Sequence, residues 1–311
     1  MNKKRIFITG GTGIFGRWLL GELQRIDVDI VLLTRNPQIT TTKIPELHTL
    51  KRISLIQGDI RDFKFPEGTF DYVIHAATPV VSDDLGVDSD EMYSIIVDGT
   101  QRVLEFAKQA NVKRLLFVSS GAVYGTQPPE LEQIPETYPC NPITAYGKGK
   151  LDAENLCITH SIPVVIARCF AFVGPYLPLN AHFAIGNFIG NCLRNEPIII
   201  KGDGTPLRSY MYATDLAEWL LTLLVKGKEN EIYNVGSDQS ISITDLAKKV
   251  REISGTNNEI IIKQKTNPSK LPARYIPNIK KANHNLGLQI NSDLKTSVLK
   301  TFDFYKLKKH L

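Results

Sequence analysis

Short runs of β-branched and aromatic residues alternate along this chain with stretches whose apolar residues recur at helical spacing. Arg5–Thr9 and Asp29–Leu33 are strand-like, and between them the apolar residues of Arg17–Arg25 return every three to four positions. Further strands are predicted at 53–57, 72–77, 114–118, 163–170 and 231–235, with a long helix at 91–110. Strands that alternate with helices indicate βαβ units. The pattern therefore predicts an α/β protein with a doubly wound parallel Rossmann-type sheet.

A glycine-rich turn joins the first predicted strand to the first predicted helix. It is Gly10-Gly-Thr-Gly13-Ile-Phe-Gly16, and its glycines permit a tight turn and close approach of a ligand to the backbone. The helix that follows presents free N–H groups, which bind the pyrophosphate of a dinucleotide. A turn without a ligand is the alternative, although strand, glycines and helix stand in the required order. The residues expected to contact the cofactor here are Gly10, Gly13, Ile14, Phe15 and Gly16.

The end of the second strand bears on the choice between NADP and NAD. NAD-specific folds place an Asp or Glu about 20 residues past the glycines, where it binds the ribose 2′-hydroxyl. This chain has Thr34-Arg35-Asn36 instead. A carboxylate would repel a 2′-phosphate, whereas Arg35 could pair with one. We expect NADP(H), with NAD(H) and an exposed loop arginine as the alternative.

Two more strand ends extend the expected cofactor site. Gly58-Asp59-Ile60 follows the third strand, where a carboxylate could accept a hydrogen bond from the adenine amino group, unless it is only a turn residue. The fourth strand ends in His75-Ala76-Ala77, and small residues let a flat ring lie against the backbone. We expect His75 to be a hydrogen-bonded structural residue. The additional cofactor contacts predicted are Asp59, Ile60, Ala76, Ala77 and Phe170. The acidic stretch 79–93 is predicted to be a solvated loop, with a lid as the alternative.

Tyr146 and Lys150 form the candidate reactive pair. Residues four apart on a helix share one face, one turn apart, so the ammonium group comes within reach of the phenol. An unperturbed phenol has a pKa near ~10, and a neighbouring cation favours its ionised form. The pair is therefore suited to act as an acid/base on a carbonyl or a carbinol. Ser120 follows a predicted buried strand, where open α/β sheets place their ligands, and could hydrogen-bond a substrate oxygen.

Several motifs occur in the order typical of the extended short-chain dehydrogenase/reductase family. They are the glycine turn at 10–16, Gly-Asp-Ile at 58–60, His-Ala-Ala at 75–77, Ser-Ser-Gly-Ala-Val-Tyr-Gly at 119–125 and Tyr146-x-x-x-Lys150. Over essentially its whole length the chain resembles this family of NAD(P)-dependent nucleotide-sugar epimerases, dehydratases and ketoreductases. The resemblance implies a catalytic triad of Ser120, Tyr146 and Lys150. It also implies that Tyr146 is the acid/base, while Lys150 holds the nicotinamide ribose and lowers the pKa of the tyrosine.

The chain departs from the family pattern at three places. The 4,6-dehydratases carry Asp and Glu directly after the Ser/Thr, and these two side chains move the protons of the dehydration. Gly121 and Ala122 stand there in this chain and cannot transfer a proton, so dehydration is not expected. Ile96 replaces an asparagine that the family often has three residues before Gly-Thr on the central helix. Ala171 replaces the asparagine of Arg-x-x-Asn, which removes a usual contact to the substrate phosphate.

The resemblance also points to a substrate site in the C-terminal part. Asn187 matches a position from which relatives hold the pyrophosphate. Arg208, in Thr205-Pro-Leu-Arg-Ser-Tyr, matches a family segment whose arginine can clamp a diphosphate through two hydrogen bonds, and a surface charge is the alternative. Arg274 is a second candidate. We expect a dinucleotide-binding domain at 1–170, to which 212–238 returns, and a smaller C-terminal substrate lobe at 171–211 and 239–311.

Composition and charge narrow the range of partners only slightly. The 311 residues are 42% hydrophobic and 22% charged, as in ordinary globular proteins. The net charge of +5 is scattered and is compatible with an anionic small ligand without requiring one. We expect no nucleic-acid or membrane partner and a cytoplasmic protein, because no signal peptide or long apolar run is visible. The four cysteines lack paired spacing, so neither a disulfide framework nor a metal site is predicted.

These observations favour NADP(H)-dependent reduction of a 4-keto-6-deoxy nucleotide sugar. The alternative is an NAD-dependent nucleotide-sugar 4-epimerase, which oxidises and re-reduces its substrate with a retained cofactor. Ser120, Tyr146 and Lys150 serve both reactions, so only Arg35 and the absent acid distinguish them. A third hypothesis is a non-catalytic dinucleotide sensor. A smaller carbonyl substrate without a nucleotide is less expected, because Arg208 is predicted to bind a diphosphate.

The resemblance further implies a homodimer through a four-helix bundle of the central helix and the Tyr146 helix. The positions expected to face outward for it are Val97, Leu104, Lys108, Leu151 and Leu156.

Overall fold

The computed structural model describes residues 3–44, 47, 52–78, 88–181 and 183–308, and they divide into two compact units. The first unit comprises residues 1–125, 139–169 and 217–233, and the second comprises 126–138, 170–216 and 234–311. This division differs from the predicted boundaries chiefly at 126–138, which belong to the second unit. Assigning cofactor binding to one part and substrate binding to the other stays a prediction.

The secondary structure follows the predicted alternation and adds short strands to it. Within the described residues the strands are β1 (Lys4–Thr9), β2 (Val28–Thr34), β3 (Ile53–Gln57), β4 (Tyr72–His75), β5 (Arg114–Ser120), β6 (Val164–Cys169), β7 (Phe172–Val173), β8 (Ile198–Ile200), β9 (Leu207–Arg208), β10 (Met211–Tyr212), β11 (Glu231–Val235), β12 (Ile241–Ser242), β13 (Ile260–Ile262) and β14 (Arg274–Tyr275). The helices are α1 (Ile14–Leu23), α2 (Pro37–Lys43), α3 (Ser89–Gln109), α4 (Ala145–Thr159), α5 (Ala184–Arg194), α6 (Ala213–Lys226), α7 (Ile243–Ser254), α8 (Lys280–Leu286) and α9 (Leu294–Lys308).

A seven-stranded sheet forms the centre of the first unit. Its order is β11-β6-β5-β4-β1-β2-β3, and the pairs from β6 through to β3 run parallel. The chain moves outward from β1 to β3 and then returns to the other side of β1 with β4. Ligands of open α/β sheets bind beyond the carboxyl ends of the strands at such a reversal. The predicted doubly wound parallel sheet is therefore confirmed.

The sheet is buried on both faces, as its nearly continuous apolar strands require. All six residues of β6 are buried. On one face, the rings of Phe7, Phe63, Phe70 and Phe106 pack with centroids 4.6 to 6.0 Å apart. These rings join β1 to the central helix α3 and hold that helix against the strand ends.

Two expectations about α3 were wrong. Leu104 does not face outward, because it is fully buried in the core beneath the helix. The helix begins at Ser89, so residues 89–93 are helical and are not part of a loop. The remainder of the predicted acidic loop, 79–87, lies outside the described residues.

The second unit contains small sheets that the sequence pattern did not predict. They have the orders β12-β9-β14, β10-β7 and β13-β8, and each of their strands has two or three residues. Asp215 at the start of α6 accepts hydrogen bonds from the backbone N–H groups of Asn291 (3.1 Å) and Ser292 (2.9 Å). Near the C-terminal end of α9, Tyr305 donates a hydrogen bond to the carbonyl oxygen of Leu177 at 2.5 Å.

Among the described residues, no helix combines the length and apolar character needed to cross a membrane.

Candidate active site

The first turn of α4 lies against the turn that follows β5, and this contact positions Tyr146. The side chain of Thr144 caps the helix by accepting a hydrogen bond from the N–H of Gly147 at 3.1 Å. Gly147 approaches the 3-10 helix at 121–124 so closely that a Cβ there would lie 2.7 Å from the carbonyl oxygen of Ala122. The absence of a side chain at Gly147 therefore sets how near Tyr146 comes to the end of β5.

Ser120 is held at the end of β5 by the backbone that follows it. Its Oγ accepts a hydrogen bond from the N–H of Ala122 at 3.1 Å and so caps the short 3-10 helix. The same hydroxyl group is hydrogen-bonded to the phenol of Tyr146. The structure thus brings two members of the predicted triad together, with the serine hydroxyl oriented before any substrate arrives.

The pKa of Tyr146 changes in the direction opposite to the one expected. Burial around its hydroxyl group raises this pKa to about 12, and the hydrogen bond with Ser120 only partly opposes the effect. Lys150 does not overcome the burial, since its Nζ lies 6.0 Å from the centroid of the Tyr146 ring. The phenol is therefore protonated at neutral pH and can donate a proton.

Lys150 follows Tyr146 by one turn of α4 and is only 2% exposed. Its Nζ donates a hydrogen bond to the carbonyl oxygen of Val118 at 2.8 Å and lies 4.9 Å from the centroid of the Phe117 ring. Burial lowers the pKa of Lys150 to about 8, while Cys169 and Glu154 act in the opposite direction. The side chain is therefore charged at neutral pH and loses its proton in mildly alkaline solution.

The glycine turn after β1 lies close against the backbone that follows β4. Gly10 has a φ of +72°, and a Cβ there would lie 2.5 Å from backbone atoms of Ala76 and Ala77. Gly13, in extended conformation, begins α1 without a side-chain cap. These residues fit a dinucleotide, whose pyrophosphate needs such a helix start.

A buried hydrogen-bond chain fixes the neighbouring strand end. The N–H of Ala77 donates to Thr9 Oγ1 (3.2 Å), which lies 2.7 Å from His75 Nδ1. On the other side, His75 Nε2 lies 3.0 Å from Thr100 Oγ1, whose hydroxyl donates to the carbonyl oxygen of Ile96 at 2.6 Å. Because that hydroxyl already donates, His75 must donate through Nε2 and accept at Nδ1. Burial lowers the pKa of His75 to about 3, so the ring is neutral, as the structural role predicted for it requires.

Arg35 is the exposed charged side chain at the end of β2. Its neighbours serve local structure: Thr34 Oγ1 lies 2.7 Å from Thr40 Oγ1, and Asn36 accepts from the N–H of Ile39 at 3.0 Å to cap α2. Near the end of β3, Asp59 accepts from the N–H and Nε of Arg61, at 3.1 and 2.8 Å. Burial would raise the pKa of Asp59, but these hydrogen bonds and the charge of Arg35 hold it below its usual value.

The three residues predicted to contact the nucleotide part of the substrate lie in the second unit, whereas Ser120 lies in the first. Asn187 is on α5, and its Oδ1 is buried without a hydrogen-bond partner among the described residues. Arg208 on β9 and Arg274 on β14 lie on paired parallel strands, offset by one position in the register. Arg274 Nε donates to the carbonyl oxygen of Pro129 at 2.7 Å.

Phe170, predicted to contact the cofactor, also belongs to the second unit. Its side chain is buried, and its ring lies 4.7 Å from that of Tyr275.

Comparison with known proteins gives the chain its family. The sequence profile described as the NAD dependent epimerase/dehydratase family matches residues 6–236. The chain belongs to the NAD-dependent epimerase/dehydratase family. A human dTDP-D-glucose 4,6-dehydratase is 28% identical over 330 residues, which cover 99% of this chain and 91% of the relative. UDP-glucuronic acid decarboxylase 6 of Arabidopsis thaliana is 30% identical over 294 residues, covering 91% and 83%.

A solved structure extends the likeness to the fold. UDP-glucuronic acid 4-epimerase from Bacillus cereus, in complex with UDP-glucuronic acid and NAD, superposes with a TM-score of 0.84 at 25% identity. The alignment covers 98% of this chain and 99% of the epimerase chain. As a member of the NAD-dependent epimerase/dehydratase family, the protein is an oxidoreductase of the extended short-chain dehydrogenase type. Its relatives are dehydratases, epimerases and decarboxylases of nucleotide sugars.

The sequence reasoning missed a buried ion pair beside the candidate catalytic residues. Glu154 on α4 and Arg168 on β6 are 1% and 4% exposed, and Arg168 Nη2 donates to Glu154 Oε2 at 2.7 Å. Ser119 Oγ donates to Glu154 Oε1 at 2.5 Å. A glutamate four residues after Lys150 was the available signal, because it falls on the same helix face.

Proposed function

We propose that the protein reduces a 4-keto-6-deoxy nucleotide sugar with NADP(H). The observation that carries this proposal is the partly buried Tyr146, whose phenol is protonated at neutral pH and hydrogen-bonded to Ser120. Reduction of a ketone needs a proton donor at the carbonyl oxygen, and a protonated phenol is one. Oxidation of an alcohol would instead need a base in the first step.

Each triad residue has a separate part in this reaction. A nicotinamide cofactor, when bound, would supply the hydride that the sugar carbon receives. Tyr146 donates its hydroxyl proton to the carbonyl oxygen as negative charge develops there, while the Ser120 hydroxyl holds that oxygen in place. Lys150, charged and buried, binds the nicotinamide ribose and stabilises the tyrosinate that proton transfer leaves behind.

The end of β2 supports the preference for NADP(H). Thr34 and Asn36 are engaged in local hydrogen bonds, so Arg35 is the group there that can meet a 2′-phosphate. A charge-assisted hydrogen bond of this kind contributes about 1.5–3 kcal/mol. NAD(H) is the cofactor named for the family and is present in the Bacillus cereus structure, so it is the alternative that an experiment must exclude.

The second candidate is a nucleotide-sugar 4-epimerase. The 25% identical relative in complex with UDP-glucuronic acid and NAD has this activity in its name. An epimerase would use the same Ser120, Tyr146 and Lys150, with Tyr146 first accepting a proton. Dehydration and decarboxylation, the activities named for the other relatives, are less well supported. Gly121 and Ala122 carry no acid or base directly after Ser120.

The substrate proposal rests on the second unit. Lys and Arg outnumber Asp and Glu there and balance them in the first unit, so the second carries the whole net charge of +5. The buried Oδ1 of Asn187 has no hydrogen-bond partner among the described residues. Asn187 and Arg208 would bind the diphosphate of a nucleoside diphosphate sugar, with Arg274 as a further contact. Binding energy from a remote diphosphate then orients the sugar for reaction.

We also propose a homodimer in which α3 and α4 pack against their symmetry mates. Leu104 is buried and is excluded from this surface, whereas Lys108 is exposed and Val97, Leu151 and Leu156 are partly exposed. A monomer mass by light scattering at micromolar concentration would contradict the proposal.

Two measurements test the proposed function. Denaturing the purified protein and identifying the released dinucleotide separates a retained NAD, expected of an epimerase, from exchangeable NADP(H). Calorimetry with UDP, dTDP, CDP and GDP tests the substrate class, and one of the four is expected to bind more tightly than millimolar. If none does, a smaller carbonyl substrate becomes the better hypothesis.

A further inference from the structure

One face of α4 carries three polar residues at intervals of four: Tyr146, Lys150 and Glu154. Each makes a hydrogen bond to a different residue at the end of β5. Tyr146 bonds to the hydroxyl of Ser120 and Lys150 to the carbonyl oxygen of Val118. Glu154 Oε1 accepts from the hydroxyl of Ser119, the residue between them, at 2.5 Å. Three successive turns of one helix therefore hold three successive residues of one strand.

Arg168 holds Glu154 in place from the neighbouring strand. Its Nε lies 3.1 and 3.2 Å from the two carboxylate oxygens, and its Nη2 donates to Oε2 at 2.7 Å. Arg168 on β6 is the register partner of Ser119 on β5, so the carboxylate binds both strands at one level. Its guanidinium also lies 4.7 Å from the ring centroid of Tyr124. One carboxylate of α4 thus binds a side chain of β5 and a side chain of β6.

Stability alone is a poor reason for this ion pair. Removing two charges from water costs several kcal/mol per ion, and a well-packed apolar pair is often as stable or more so. What such a pair does provide is fixed geometry, because the planar fork of guanidinium N–H groups donates to both carboxylate oxygens only when the two groups share a plane. The pair lies one helical turn beyond Lys150 and one residue before Ser120, where fixed geometry affects the reacting groups.

Glu154 also lies one helical turn from Lys150 on this face, and its charge acts on the ammonium group. The titratable groups that face Lys150 among the described residues are Tyr146 and Cys157 of α4, Cys169 of β6, His75 of β4, and Glu154 itself. Burial keeps Tyr146 and both thiols protonated by raising their pKa values, and it keeps His75 neutral. Within that set, Glu154 is therefore the group whose charge favours the ammonium form of Lys150.

We propose that Glu154, held by Arg168, is a positioning residue of the active site: it fixes the end of β5 against α4 and keeps Lys150 charged. It acts through Ser119 and Lys150 and touches neither substrate nor cofactor. The inference rests on the proposed function in one respect, the role of Lys150 as a cofactor contact. It needs no assumption about the sugar.

The test follows the affinity for the nicotinamide cofactor on both sides of pH 8, by fluorescence titration with NADPH and NADH. The wild-type protein is expected to lose affinity as Lys150 loses its proton near this pH. Glu154→Gln removes a negative charge and keeps the shape of the side chain. The pH at which half of the affinity is lost, the midpoint, should therefore fall by about one pH unit. Glu154→Gln combined with Arg168→Met removes both charges and should return the midpoint toward that of the wild type.

Two controls separate the charge from the geometry and from Lys150. Arg168→Lys retains both charges but loses the fork, so its midpoint should match the wild type although its melting temperature falls. The cofactor affinity of Lys150→Met should not change with pH in this range. If Glu154→Gln does not fold, Arg168→Met replaces it, with a shift expected toward higher pH.

Three outcomes would overturn the proposal. In the first, Glu154→Gln lowers the melting temperature and leaves the pH midpoint of cofactor binding unchanged. In the second, Glu154→Gln and Arg168→Met shift that midpoint in the same direction. In the third, Lys150→Met still loses cofactor affinity in alkaline solution. Because the titration uses cofactor alone, failure of all four nucleoside diphosphates to bind would reject the sugar-nucleotide substrate and leave this result interpretable.

Discussion

The close approach at Gly147 can be tested with a matched pair of substitutions on α4. In Gly147→Ala, the new Cβ would lie 2.7 Å from the carbonyl oxygen of Ala122 and 2.9 Å from Cβ of Pro142. The first contact is with backbone, which cannot rotate aside. In Gly149→Ala, two residues further on, the nearest atoms are those of Ile96 at 3.4 Å, an ordinary van der Waals distance. The two variants therefore share their chemistry and their helix and differ in the space available.

The expected sizes follow from these distances. To restore an ordinary contact, the first turn of α4 must move by roughly half an ångström in Gly147→Ala, and Tyr146 moves with it. A misplacement of about 1 Å can cost ~10²-fold in rate, so we expect turnover to fall by about ten-fold or more. Overpacking should also destabilise the protein by about 1–3 kcal/mol. Gly149→Ala should retain turnover and gain up to about 1 kcal/mol from helix propensity.

The assay is steady-state reduction of a nucleotide-linked 4-keto sugar, with thermal unfolding measured in parallel. The reasoning requires kcat to fall in Gly147→Ala while the affinity for the cofactor changes less. Equal turnover in the two variants would mean that the contact with Ala122 does not set the position of Tyr146. A comparable loss in Gly149→Ala would instead point to a general intolerance of α4 to substitution.

Four further predictions concern the proposed chemistry and the stability of the fold. Tyr146→Phe should lower turnover by about 10²–10⁴-fold with nearly unchanged cofactor affinity, because only the proton donor is lost; near-normal kcat would exclude Tyr146 as the acid. Arg35→Ala should weaken NADPH binding by about 1.5–3 kcal/mol and leave NADH binding little changed, and equal effects on both would remove the case for NADP(H). Arg208→Ala should raise KM strongly, whereas Arg194→Ala, which removes a surface ion pair with Glu196 in the same unit, should not. Burial acts to raise the pKa of Asp71, but hydrogen bonds from Lys113, Arg5 and Lys4 lower it from 3.8 to about 2. The stability that Asp71 contributes should therefore be complete above pH 3.8 and be lost as the pH falls toward 2. Urea unfolding of an Asp71→Asn variant should show a smaller loss of stability in acid.

Local patterns were enough to predict the central sheet and the candidate triad. The strands of a doubly wound sheet are buried on both faces, so each appears in the sequence as a short apolar run bounded by turn residues. The glycine turn and the Tyr146–Lys150 spacing are equally local, since a helix places residues four apart on one face whatever surrounds it. Strand ends were less exact, and β5 extends two residues past its predicted end, to Ser120.

Features that depend on distant segments could not be predicted in this way. The pKa of Tyr146 is raised because elements far apart in sequence remove water from its hydroxyl group, and the spacing to Lys150 contains no information about that burial. Leu104 was expected to face outward on α3, and its burial is decided by the strands beneath that helix. The strands of the second unit, many only two residues long, exist because of their partners and have no periodicity of their own.

The surroundings of the triad show the same division. The sequence alone determined which side chains face one way along α4, because that follows from helix geometry. Only the tertiary structure decided that Glu154 meets Ser119 and Arg168, since these residues come from three elements that the fold brings to one level. It likewise decided that Gly147 is needed where α4 meets the carbonyl group of Ala122. A hydrogen bond or a steric limit between distant segments exists only after the chain has folded, and so it leaves no periodic pattern in the sequence.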